Sequence, residues 1–122
     1  MAHPFVHVEL HTQNLPAAKK FYSSLFGWEL QDVPMPGGMN YTMINVGEGT
    51  GGGMMTSSDP NAPAAWLAYV LVDDIDASTQ KAKDLGAKIH LGVTKVGDFG
   101  MMSVIQDPTG AYIAMWKPLK KM

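Results

Sequence analysis

From Phe5 to Leu10 the apolar residues Val6, Val8 and Leu10 alternate with His7, Glu9 and, just beyond, His11. A period of two predicts a strand with one apolar and one polar face. Asn14 can then cap a helix, Pro16 fits its first turn, and Leu15, Ala18, Tyr22 and Leu25 recur at helical spacing until Gly27. These signals predict an amphipathic helix of about three turns. Alternation returns from Trp28 to Val33 and from Tyr41 to Val46, on either side of a turn-rich stretch from Pro34 to Asn40. A short strand through Met54 and Met55 follows the glycines at 47, 49 and 51 to 53. The first half therefore reads βαβββ.

Ser57 to Ala65, with Asp59-Pro60 and Ala62-Pro63, reads as a linker. The pattern then restarts. Trp66 to Val72 is a strand, and Asp74-Ile75-Asp76-Ala77 opens a capped helix that ends at Leu85-Gly86. Ala87 to Leu91, Met101 to Gln106 and Ala111 to Trp116 are strands, the last two joined by the turn Asp107-Pro108-Thr109-Gly110. Gln13-Asn14-Leu15 matches Asp73-Asp74-Ile75, and Leu25-Phe26-Gly27 matches Asp84-Leu85-Gly86. Such self-similarity indicates a duplicated unit. A four-stranded sheet with one helix leaves one face uncovered. The expected fold is α+β: two βαβββ modules, about 4–56 and 66–117, joined by linker 57–65 within a single domain 1–122. They form a curved half-barrel sheet cleft with the helices outside, where a ligand would sit.

Composition narrows the function. The 122 residues suit one domain, and 46% hydrophobic with 16% charged residues is enough to fold. There is no cysteine, which excludes disulfides, thiolate metal sites and a cysteine nucleophile. All nine basic residues are lysines, so no guanidinium is present to grip a carboxylate or phosphate in a fork. A net charge of −2, with no basic stripe except Lys117, Lys120 and Lys121, argues against nucleic acid. No stretch approaches the roughly 20 apolar residues of a membrane span, and Met1-Ala2-His3-Pro4 opens no targeting signal. The expectation is a soluble cytoplasmic protein that binds neither nucleic acid nor membrane.

The duplicated plan, together with His7-Val8-Glu9-Leu10, Ala17-Ala18-Lys19-Lys20-Phe21-Tyr22, Leu25-Phe26-Gly27-Trp28, Val72-Asp73-Asp74 and Asp107-Pro108-Thr109-Gly110, resembles the vicinal oxygen chelate superfamily. This superfamily holds glyoxalase I, bleomycin resistance proteins and extradiol dioxygenases, and the similarity is to its small glyoxalase-related bacterial proteins. The resemblance implies a homodimer and a small-molecule ligand. It also implies four metal positions, a His or Glu on the first and last strands of each module. Here these fall on His7, near Gly53, on Leu67 and on Ala114. Three of the four carry no ligand. The glutathione-dependent members also rely on arginine, so lactoylglutathione lyase activity is not expected of this chain.

His7, Glu9 and His11 share one strand face, with neighbours roughly 6.6 Å apart. Two of them could share a cation, with His7 as the metal position. Alternatively, His7 and Glu9 hydrogen-bond each other, either as an acid/base pair or simply to orient a ligand. His11 is expected nearer solvent, and His90 has no charged neighbour in sequence. Gly47-Glu48-Gly49-Thr50-Gly51-Gly52 matches G-x-G-x-x-G, but Ser57-Ser58-Asp59-Pro60 follows where a helix is required. A flexible hairpin whose missing side chains leave room in the cleft is the reading adopted. Met39, Met43, Met54, Met55, Met101, Met102 and Met115 lie in or beside strands, where thioethers fill irregular space. Tyr69 beside Leu67, and Tyr112 and Trp116 around Ala114, give an aromatic ligand-binding set that also includes His11. Trp28 is assigned to packing.

The leading expectation is a glyoxalase-like protein that binds a small, mainly apolar or aromatic molecule without a metal, with His7 and Glu9 supplying polarity. The alternative is a metal-dependent lyase or isomerase with a reduced ligand set.

Overall fold

Alternating residues build β1 (Phe5–Thr12), and the change to helical spacing after Asn14 builds α1 (Leu15–Phe26). The Asn14 side chain accepts the Ala17 N–H at 3.2 Å, and Gly27 ends the helix at φ 71°, a left-handed conformation suited to glycine. The chain continues through β2 (Glu29–Pro34), β3 (Asn40–Asn45) and β4 (Gly52–Thr56). The second half supplies β5 (Ala65–Leu71), α2 (Ile75–Asp84), β6 (Lys88–Val96), β7 (Gly100–Gln106) and β8 (Tyr112–Pro118). This computed structural model describes residues 2–35 and 40–119. Met39, Lys120 and Lys121 lie outside them. The fold is α+β, with two βαβββ modules as the repeat predicts. Among the described residues no helix is long and apolar enough to cross a membrane.

The chain forms two compact units. The first is His7–Leu67. Its strands follow the order β2-β3-β4-β1, with β1 and β4 parallel and the other neighbours antiparallel. Register pairs Leu10 with Met54 and Glu9 with Gly53, so the two faces of β1 continue onto β4. On one face Leu10, Ile44 and Met54 are buried against Leu15, Ala18 and Tyr22 of α1 and against Trp28 and Leu30. Gly52 is required there, because a Cβ at this position would stand 2.0 Å from the Val8 carbonyl oxygen. Thr42, fully buried, donates to Asp32 at 2.7 Å, and Lys19 of α1 reaches the same carboxylate at 2.9 Å.

Leu25 is 57% exposed although it continues the helical series. Trp28, returning after Gly27, stacks on Tyr22 at 5.8 Å between ring centroids and packs against the core. Trp28 is thus a packing residue.

The second unit comprises Ala68 onward together with the N-terminal residues up to Val6. The Pro4 carbonyl accepts the Leu71 N–H at 2.9 Å. Strand order is β5-β8-β7-β6, with β5 and β8 parallel. Asp74 caps α2 by accepting the Ala77 N–H at 3.1 Å. Val72, Ile75 and Met115 are buried with Met101 and Ile105 on the helix side, where Thr79 and Ser103 share a buried hydroxyl bond of 2.8 Å. Strand β6 does not stop at Leu91 as predicted. It runs on to Val96 across two register shifts, the second of which spans Gly92, without ending the pairing with β7. The Asp107 side chain accepts from the Thr109 N–H and Oγ1 and from the Ala111 N–H, which fixes the turn before β8 and holds its carboxyl below the usual carboxylate range.

Candidate functional site

The β1 face opposite α1 carries His7, Glu9 and His11, and β3 contributes Tyr41 to the same face. Strands in a sheet lie about 4.8 Å apart, so β3 and β1, separated by β4, are roughly 10 Å from each other. A tyrosine crosses much of that distance provided nothing stands on the strand between. Gly53, paired with Glu9 on one side and Met43 on the other, meets that condition. A Cβ there would fall 2.0 Å from the Tyr41 hydroxyl oxygen. The room expected above the glycines is therefore filled by the chain's own phenol.

The four side chains form one hydrogen-bonded series. Tyr41 donates its only proton to Glu9 Oε2 at 2.6 Å. The Tyr41 oxygen also lies 2.6 Å from His7 Nε2. With the phenol proton committed to Glu9, His7 must be the donor through its Nε2–H. His11 Nε2 lies 2.6 Å from Glu9 Oε1 and donates to it. The direct His7–Glu9 contact is 4.0 Å, so these two do not hydrogen-bond each other as the sequence suggested; Tyr41 bridges them. His11, placed near solvent by sequence, is half-buried and anchored on the carboxylate.

Glu9 has only 8% of its side chain exposed. Burying a carboxylate is costly unless hydrogen bonds compensate, and Tyr41 and His11 supply them. Burial also holds the His7 imidazole below its ordinary value of 6.5, while the Glu9 carboxylate pulls the other way. His7 is accordingly neutral at pH 7 and keeps the tautomer that donates to Tyr41. Tyr41 is the site residue missed in the sequence. Its strand was legible, but its diagonal reach over Gly53 depends on register.

A divalent cation does not fit these residues as they stand. Of the positions the resemblance implies, only His7 carries a donor, and its Nε2 is committed to the phenol. Leu67 and Ala114 are buried and apolar, and Gly53 lies beneath Tyr41. Among the described residues no group of three or more His, Cys, Asp or Glu could hold a metal ion.

In the same unit an open groove of about 500 Å³ runs along β2 and β3, lined by Glu29, Gln31, Met43, Asn45 and Gly47 among others. It lies one strand away from Glu9, connected through the Met43–Gly53 pair. The hydrogen-bonded series, unlike the groove, is a set of four polar side chains held together by bonds of 2.6 Å. In the second unit Tyr69 and Trp116 meet edge to face at 6.4 Å, and the Tyr69 hydroxyl approaches Met102 Sδ at 3.8 Å. Tyr69 and Ala114 are buried, whereas Tyr112 is 51% exposed with its ring against His90 at 5.0 Å.

Residues 5–115 match the family model of the Glyoxalase/Bleomycin resistance protein/Dioxygenase superfamily. The chain is 39% identical over 114 residues to "Putative glyoxylase CFP32" of Mycobacterium tuberculosis, a match covering 90% of this chain and 44% of that protein. It is 27% identical to the anthracycline biosynthesis protein DnrV of Streptomyces peucetius, covering 89% of this chain and 45% of that protein. The chain thus spans less than half the length of these curated relatives. Among solved structures, a hypothetical protein from Bacillus halodurans shares the fold with a TM-score of 0.76 at 11% identity, covering 100% of this chain and 99% of that one. Methylmalonyl-CoA epimerase from M. tuberculosis gives 0.68 at 17% identity, covering 93% and 87%. With nearly the whole chain matched, the protein belongs to the glyoxalase/bleomycin resistance protein/dioxygenase superfamily.

Proposed function

We propose that this chain binds a small, mainly apolar or aromatic molecule over the helix-free face of the His7–Leu67 unit, with the His7–Tyr41–Glu9–His11 series as its polar anchor. The observation that carries this reading is the convergence of four polar side chains on a half-buried sheet face, each with a hydrogen-bond partner within the protein. A series pre-ordered in this way presents fixed dipoles to a ligand without first having to reorganise, which favours binding. Met43, 42% exposed on the same face, provides adaptable apolar surface beside it.

His7 and Glu9 act together through Tyr41, so any proton exchanged at His7 can be passed on to the carboxylate. Within the second unit, Tyr69, Tyr112, Ala114 and Trp116 are read as an apolar and aromatic ligand-binding set of their own, and Leu67 as an apolar member of the first unit's set. The domain comprises modules 4–56 and 66–117 joined by linker 57–65, and works in the cytoplasm as a homodimer. Exposed Phe21, Leu25 and Phe26 support the dimer, and light scattering checks it. The reading excludes a nucleic-acid partner, consistent with the slight negative charge.

The metal-dependent lyase or isomerase reading is not favoured, because the donors it needs are absent or engaged. A thermal-shift and NMR screen of purified protein against a broad panel of metabolites and aromatic drugs tests the proposal. Saturable binding by one chemical class is expected, and its absence across the panel contradicts the reading.

A further inference from the structure

We infer that the groove along β2 and β3 holds the protonated primary amine of an apolar or aromatic ligand, with Glu29, Gln31 and Asn45 as its acceptors and Met43 beside the apolar body. The inference rests on the reading of this sheet face as a ligand surface and adds the chemical class of the ligand. Leu30 and Ile44 pack toward α1, so alternation places Glu29, Gln31, Met43 and Asn45 on the helix-free face. Register sets Glu29 opposite Asn45 and Gln31 opposite Met43. Opposed residues have Cβ atoms about 4.5–5.5 Å apart, and alternate residues of one strand lie roughly 6.6 Å apart, so the three polar side chains share one end of the groove.

Charge sets the sign of the ligand. The two carboxylates of β2 differ: Asp32 pairs with Lys19 at 2.9 Å and accepts from Thr42 at 2.7 Å, whereas Glu29 has no side-chain hydrogen bond or ion pair among the described residues. No lysine is among the described residues that line the groove. An anionic ligand would meet an uncompensated like charge, and the chain has no arginine to receive it. The acceptors then set the type of cation. Asn45 Oδ1 accepts the Gly47 N–H at 2.9 Å, which orients the carboxamide and leaves a second lone pair on that oxygen. With Gln31 Oε1 and the Glu29 carboxylate this makes three acceptor groups, matching the three N–H donors of a primary ammonium. Quaternary ammonium groups are held by aromatic faces instead, and no aromatic ring is among the described lining residues.

The test is an NMR titration at pH 7 with three probes of one shape: 2-phenylethylamine, 2-phenylethanol and trimethyl(2-phenylethyl)ammonium. The amine should bind with shifts at Glu29, Gln31, Met43 and Asn45, and at least about tenfold more tightly than the alcohol, the scale of hydrogen bonds to a charged group. The trimethylated ion keeps the charge without an N–H and should bind at least about threefold more weakly than the amine. Glu29→Gln, an exposed change, should remove the preference for amine over alcohol, while Asp84→Asn, which deletes the same charge in the other unit, should leave it intact. No saturable binding of the amine, equal affinity for amine and alcohol, or a preference that survives Glu29→Gln overturns the inference. The proposed function fails separately. Equal affinities with shifts centred on His7, Glu9 and Tyr41 would leave it standing and overturn only the amine site, whereas amine-selective shifts confined to the groove would uphold the amine site and count against the polar anchor.

Discussion

The Tyr41 phenol lies over Gly53, with its oxygen 2.0 Å from where a Cβ of residue 53 would stand. The absence of one side chain on β4 thus lets a residue of β3 complete the hydrogen bonding of a carboxylate on β1. Gly53→Ala should force the ring away. Because the tip of a side chain moves more easily than backbone, the expected cost is that of the lost hydrogen bonds, about 1–3 kcal/mol in urea unfolding. Gly52→Ala is the contrasting case. Its Cβ would meet the Val8 backbone carbonyl, so the β1–β4 pairing itself must shift, and a loss of about 3 kcal/mol or more is expected.

Tyr41→Phe retains the ring and deletes the proton donated to Glu9. A buried carboxylate deprived of one partner should destabilise the protein by about 1–3 kcal/mol at pH 7, measured by thermal or chemical unfolding. The accompanying Glu9→Gln variant separates charge from shape. If Tyr41→Phe costs as much in the Glu9→Gln background as in the wild type, the two residues are not coupled.

Acidification should weaken the fold through His7. Its folded pKa lies below the ordinary 6.5, so as pH falls the unfolded chain takes up the proton first. The stability contributed by neutral His7 is present above pH 6.5 and is lost as pH falls through the folded value. Asp32 and Asp107 are lowered by their hydrogen bonds with Lys19 and Thr109, respectively, and their contributions are lost only below 3.8. A urea stability profile against pH should therefore show a separate His7 step, removed in His7→Asn. A profile identical in wild type and His7→Asn would contradict the assignment.

Thr79 and Ser103 share a buried hydroxyl bond under α2. Thr79→Ala strands the Ser103 hydroxyl and should cost about 1–3 kcal/mol, whereas Thr79→Val combined with Ser103→Ala should cost less than the two single changes together. Additive losses in the double-mutant cycle would mean that the two hydroxyls do not act as a pair.

Local periodicity made the modules legible. Asn14 and Asp74 cap the two helices, and Gly27 ends the first, because capping is a short-range matter of side-chain oxygen, backbone N–H and dihedral freedom. The polar face of β1 was also legible, since alternation assigns every second residue to one side. The connections within the site were not. Whether His7 meets Glu9 directly or through Tyr41 depends on the pairing of Glu9 with Gly53 and of Met43 with Gly53, a register set by strands distant in sequence. The extension of β6 to Val96 was hidden for a related reason: the register shift between Leu91 and Thr94 that accommodates Gly92 is a property of the pairing with β7.

The most direct test of the central claim is a side-chain and backbone NMR titration of the wild-type protein with the best binder from the panel. The account predicts saturable shifts centred on His7, Glu9, His11, Tyr41 and Gly53, with affinity weakened at least about tenfold in Glu9→Gln, the loss expected when one strong polar anchor is removed. Shifts that bypass these residues, or affinity unchanged in Glu9→Gln, would contradict it.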